Sequence, residues 1–110
     1  MKLLITGQIL TLCGSTRFKN EFEEWNKRLT EQENIVLSVV WFTHADRHVI
    51  TEQEKQIFDK MHKRKIDLSN AIFVINPNGY IGESTRSEID YAVQTGKKVY
   101  YMSDRGDQNV

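Results

Sequence analysis

One cysteine, one proline and no surplus charge of either sign set several kinds of protein aside. A lone Cys13 allows neither an internal disulfide nor a multi-cysteine metal site, and its place in an apolar stretch beside a turn makes it a packing residue first. Fifteen basic side chains balance fifteen acidic ones, so no global field draws the chain to nucleic-acid polymers or to an anionic membrane. The apolar runs fall short of the about 20 residues that span a bilayer, and nothing reads as a secretory signal. One cytoplasmic domain is therefore expected. At 110 residues its core is modest, and a homo-oligomer would add useful burial.

What is present alternates between two periodicities. Residues 8–13 form an apolar stretch with partial alternation that runs into Gly14-Ser15-Thr16, which reads as a strand ending in a turn. Residues 1–7 either extend this strand or form one arm of a hairpin near Gly7. Phe18, Phe22, Trp25 and Leu29 then recur at steps of four, three and four, one face of a helix that Ser15 or Thr16 could cap. The run from Ile35 to Phe42 reads as an interior strand rich in β-branched residues. Thr51 and Glu54 make a capping box before a helix containing Ile57, Phe58, Met61 and Leu68, whose lysines and Arg64 read as a solvated face. Residues 71–75 are a wholly apolar strand stopped by Asn76-Pro77-Asn78-Gly79. Ile89, Ala92 and Val93 mark a last helix that Gly96 ends, residues 99–102 a last strand, and residues 103–110 a polar tail expected to fray.

Strand, helix, strand, helix, strand, helix, strand is the order of an α/β, Rossmann-like or flavodoxin-like three-layer fold, with a mostly parallel sheet of four or five strands. Ligands of such sheets bind beyond the carboxyl ends of the strands, where strand order reverses. Residues 14–18, 41–47 and 76–88 are therefore expected on one rim.

Two segments of that rim carry chemistry. Gly14, Ser15, Thr16 and Arg17 offer backbone N–H groups, two hydroxyls and a guanidinium, suited to a phosphate or to ordinary helix capping. Gly82, Ser84, Thr85 and Glu88 open the last helix. Thr85 and Glu88 have the spacing of a capping box, while an ionised Glu88 at a ligand rim can also be a nucleophile. Trp41 and Phe42 could stack on a base or pack in the core, and Tyr80 and Tyr91 are weaker pocket candidates. His44, Asp46 and His48 lack a third ligand at metal spacing and read as substrate-side or surface groups. Neither metal nor cofactor is expected.

Taken in order, Cys13-Gly14-Ser15-Thr16-Arg17, Asn70-Ala71-Ile72-Phe73-Val74-Ile75, Ser84-Thr85-Arg86-Ser87-Glu88-Ile89-Asp90-Tyr91-Ala92 and Lys97-Lys98-Val99-Tyr100 cover most of residues 8–102. This set resembles the nucleoside 2-deoxyribosyltransferase superfamily, including the 2'-deoxynucleoside 5'-phosphate N-hydrolases. The resemblance implies cleavage or transfer at an N-glycosidic bond through a covalent glutamyl-deoxyribose intermediate. Glu88 falls on the nucleophile, and residues 14–17 fall on the segment that contacts the sugar or its 5'-phosphate. Arg17 favours the phosphorylated substrate. Where the family carries an aspartate near the end of the preceding helix, this chain has Arg64, with Asp67 one turn later as the shifted candidate for protonating the base. The alternative is a catalytically inactive nucleotide-binding or interaction protein on the same scaffold.

Overall fold

The computed structural model describes residues 4–105. Its elements are β1 (Ile9–Gly14), α1 (Lys19–Glu31), β2 (Ile35–Leu37), α2 (Glu52–Leu68), β3 (Ala71–Ile75), α3 (Glu83–Gln94) and β4 (Lys98–Tyr101), with short 3-10 turns at Pro77–Gly79 and Met102–Asp104. The four strands form one sheet in the order β2-β1-β3-β4, every neighbouring pair parallel. Among the described residues no helix is long and apolar enough to cross a membrane.

Alternation along the two central strands decides the layers. Leu10, Leu12, Ala71, Phe73 and Ile75 pack with Phe22, Trp25 and Leu29 of α1, whereas Cys13, Ile72 and Val74 pack with Ile66 of α2 and with Ile89 and Ala92 of α3. The α1 stripe is the one its spacing predicts, and Trp25 meets Phe73 at a ring-centroid distance of 4.9 Å. Each such side chain removed from water stabilises the fold by about 1.5–3 kcal/mol before entropy is charged. Because α1 carries the chain from β1 out to β2 and α2 carries it back across β1 to β3, strand order reverses between β1 and β3. A crevice opens there above the carboxyl ends of the strands.

Local chemistry explains where elements begin and end. The Thr51 capping box is complete: Glu54 N–H donates to Thr51 Oγ1 at 3.0 Å and Thr51 N–H to Glu54 Oε1 at 2.9 Å. Gly96, at φ +79°, ends the turn that follows α3, as expected. Other expectations are corrected. The second strand stops at Leu37 instead of reaching Phe42, and it lies at the sheet edge, because pairing with β1 ends at the Thr11–Leu37 register. No Ser15 or Thr16 cap precedes α1, whose N-cap is Phe18 without a side-chain bond. Nor does Thr85 cap α3: the helix starts at Glu83 behind Gly82, which leaves Thr85 buried inside its first turn.

Residues 1–3 of the expected N-terminal arm and 106–110 of the expected tail lie outside the described residues. Residues 4–7 form neither a strand nor a hairpin arm. Ile5 is instead buried in the α1-side core, fixed by Asn34, whose amide donates to the Ile5 and Leu29 carbonyls at 2.8 and 2.9 Å and accepts from Gln8 N–H at 3.1 Å.

Candidate functional site

A cavity of about 390 Å³ occupies the crevice where strand order reverses. Its walls come from the turn after β1, the loop between β2 and α2, one face of α2, and the start of α3 with the loop before it.

The turn after β1 can come this close only because residue 14 is glycine. A Cβ on Gly14 would stand 2.7 Å from the Ile75 carbonyl oxygen of the neighbouring strand. The next residues hold one another in place. Arg17 Nε donates to Ser15 Oγ at 3.0 Å, and the guanidinium lies 4.8 Å from the centre of the Tyr80 ring. Thr16 Oγ1 meets His44 Nδ1 at 2.6 Å and Thr43 Oγ1 at 3.1 Å, tying the turn to the β2–α2 loop. A second tie is the Lys19–Asp46 ion pair at 2.9 Å. Trp41 lines the cavity, stacked on His48 at 5.1 Å and edge-on to Phe58 at 5.7 Å.

From α2 the cavity receives Lys55, Phe58, Asp59, His62 and Lys65, at steps of three, one, three and three that keep them on one face. Lys55 donates to Asp59 at 2.8 Å, which raises the lysine above its ordinary pKa. Lys65 reaches back to the Ser38 carbonyl at 2.6 Å, and burial lowers its pKa. From α3 come Glu83, Ser84, Thr85 and Glu88, preceded by Gly82.

Glu88 sits where the two helices meet the sheet. Its carboxyl Oε1 is 3.8 Å from His62 Nε2, and that nitrogen is 3.5 Å from Cys13 Sγ on β1. Burial pushes Glu88 up to about 7, with Asp59 adding to the rise, while the Cys13 thiol, Lys63 and Lys55 pull against it. Burial, reinforced by the charge of Lys65, holds His62 down to about 4, against a hydrogen bond to the Leu12 backbone and the field of Asp59. The Cys13 thiol is raised well above its usual value by burial first and by Glu88 second. Because imidazolium forms only below about pH 4 and carboxylate only as pH approaches about 7, the His62–Glu88 contact is not a fully charged ion pair.

Of the candidates from sequence, Gly14, Ser15, Thr16, Arg17, Trp41, Gly82, Ser84, Thr85 and Glu88 all line this cavity. Two do not. Phe42 packs against the α1-side core, 5.4 Å from Phe22. Asp67 is exposed on another side of α2, where it accepts from Tyr91 Oη at 2.5 Å. Two positions beyond Lys65 it has rotated about 200° away from the lining face. Asp59 is the α2 carboxylate that the cavity receives.

His62 escaped the sequence reading, although a signal existed: it falls at steps of four between Phe58 and Ile66, a histidine inside an apolar stripe. Lys55 and Lys65 were hidden among lysines that do form a solvated face. No family model, curated protein or solved structure matches this chain.

Proposed function

We propose that this protein cleaves or transfers at the N-glycosidic bond of a 2'-deoxynucleoside or its 5'-monophosphate, as the likeness to the nucleoside 2-deoxyribosyltransferase superfamily implies, and that it does so in the cytoplasm. The observation that carries the reading is the Glu88 carboxyl, largely shielded from solvent at the wall of a nucleoside-sized cavity whose other wall is the Gly14–Arg17 turn.

Each group then has a task. The Glu88 carboxylate attacks the anomeric carbon, the C–N bond breaks, and its electron pair leaves with the base. The departing nitrogen takes a proton, for which Asp59 is the α2 carboxyl lining the cavity, and Lys55 fixes its position through their hydrogen bond. Water, or a second base, attacks the same carbon, the ester C–O bond breaks, and Glu88 is released as carboxylate while the acceptor's proton passes to the group that served the base. Arg17, held by Ser15 and Tyr80, would receive a 5'-phosphate. Trp41 supplies an aromatic wall for the base. A homo-oligomer belongs to the same proposal, motivated by the exposed Ile57, Met61 and Leu68 along α2.

The test is an assay of deoxynucleosides and their monophosphates for free base and for exchanged nucleoside, run alongside a 2-fluorinated sugar substrate that traps the glycosyl ester. Mass spectrometry should find the adduct on Glu88. Base release by Glu88→Gln at the parent rate would overturn the assignment, and no product from any substrate would leave ligand binding as the function.

A further inference from the structure

We infer that Cys13, His62 and Glu88 form a binding site for one thiophilic divalent cation of the zinc class, with its open coordination position facing the cavity. The three residues arrive from β1, α2 and α3, and their donor atoms all lie within 4.8 Å of one another. Cys13 Sγ to His62 Nε2 is 3.5 Å, and His62 Nε2 to Glu88 Oε1 is 3.8 Å. Zinc bonds of about 2.0–2.3 Å at tetrahedral angles put donor atoms roughly 3.3–3.7 Å apart. The thiol and imidazole already stand at that separation, and the widest spacing in the set, within 4.8 Å, closes by about 1 Å as the Glu88 side chain adjusts around the ion.

Charge and chemistry agree with this geometry. Cys13 and His62 are buried and the Glu88 side chain nearly so, beside the apolar layer between the sheet and the two helices, where one cation would serve all three donors. On binding, the thiol gives up its proton, and so does the carboxyl where it holds one. Thiolate and carboxylate then cancel the ion's two positive charges, so the buried cluster becomes neutral. One sulfur, one nitrogen and one oxygen suit zinc, whereas magnesium and calcium take oxygen ligands. His62 and Glu88 line the cavity, which supplies the entry path, and three protein ligands leave the fourth position for water or a ligand atom. The expectation of no metal came from spacing along the chain, and spacing cannot reveal a cluster assembled from three elements.

The site shares Glu88 with the glycosidic reaction without depending on it. An ion on that carboxylate engages the electron pair that the attack on the sugar requires, so zinc acts as a reversible inhibitor wherever that reaction occurs.

Untagged, reduced protein stripped with a chelator and titrated with Co²⁺ tests the site directly. One ion per chain is expected, with a thiolate-to-cobalt charge-transfer band in the near ultraviolet that one equivalent of Zn²⁺ removes. Cys13→Ser should abolish the band, and His62→Gln or Glu88→Gln should weaken zinc binding by at least about tenfold. Absence of the band in the parent protein overturns the proposal without recourse to any variant. Zinc binding that survives Cys13→Ser and Glu88→Gln but is lost in His48→Gln also overturns it, by moving the ion to the β2–α2 loop. The readout is binding, so a protein that takes up cobalt through sulfur when titrated, yet releases no base in its metal-free form, refutes the glycosidic reading alone.

Discussion

His62 Nε2 stands 3.8 Å from Glu88 Oε1 across the seam between α2 and α3, and burial shifts the two groups in opposite directions. Glu88 folds into a place that favours its protonated form, and His62 into one that favours its neutral form. For Glu88, whose folded pKa of about 7 is raised from 4.5, no penalty exists below pH 4.5, and the full penalty is reached above about pH 7. For His62, lowered from 6.5 to about 4, stability is complete above pH 6.5 and is lost as pH falls through 4. The two contributions nearly offset each other across that range, which hides both in the parent protein.

Glu88→Gln should unmask them. In metal-free protein the variant is expected to be more stable than the parent at pH 8, by about 3 kcal/mol at most, with the difference vanishing near pH 4. Urea unfolding at the two pH values measures it. Equal stability differences at both would show that the Glu88 carboxyl is not displaced from its ordinary range.

In the proposed reaction the same displacement sets the pH dependence. Because the nucleophile is the ionised form, kcat/KM for a deoxynucleotide in metal-free protein should rise about tenfold per pH unit on the acid side and level off near pH 7. A plateau already complete at pH 5 would contradict the assignment.

Two aspartates on α2 can be told apart by kinetics. Asp59→Asn is expected to lower kcat by about 100-fold for substrates whose base departs poorly, while leaving the fold intact. Asp67→Asn should cost less than about 1 kcal/mol of stability through its bond to Tyr91 and leave kcat unchanged. The reverse result would restore Asp67 to the reaction.

Arg17 reads the phosphate end in this scheme. Arg17→Gln should raise KM for the 5'-monophosphate by about tenfold and barely alter it for the unphosphorylated deoxynucleoside, a split that initial-rate kinetics on both substrates resolves. Equal effects on both would assign Arg17 to some other part of the ligand.

Gly14→Ala tests the close contact between the central strands. Its Cβ would meet the Ile75 carbonyl at 2.7 Å, with the Ile75 Cβ at 3.0 Å, so backbone must move. A loss of about 1–3 kcal/mol in thermal or urea unfolding is expected. A neutral result would mean that the two strands separate at this point without cost.

Much of this architecture was legible because its signals are local. The apolar run of β3, the α1 stripe and the Thr51–Glu54 box each carry their cause within a few residues. What failed was set by neighbours. Ile35 to Phe42 has strand composition throughout, yet strand requires a partner, and the pairing with β1 ends at Thr11–Leu37. Thr85 and Glu88 match a cap in spacing, but α3 already begins behind Gly82, which places both residues inside the helix. In the site, residues 14–17 and Glu88 follow from fold class and resemblance. The convergence of Cys13, His62 and Glu88 needs the crossover of α2 over the sheet, information that no stretch of sequence holds alone.

The cavity walls span residues 14 to 88 and join only when α3 docks beside α2. A fragment ending before β3 therefore lacks Glu88, the Gly14–Ile75 contact and the wall from Tyr80 to Thr85, whatever local structure it keeps. Any ligand of this cavity binds the completed domain and not its parts. Its affinity is converted directly into resistance to unfolding, at about 2.7 kcal/mol for a hundredfold excess over its Kd, so a rise in melting temperature across a panel of nucleotides and metals reveals ligands whether or not a reaction follows binding.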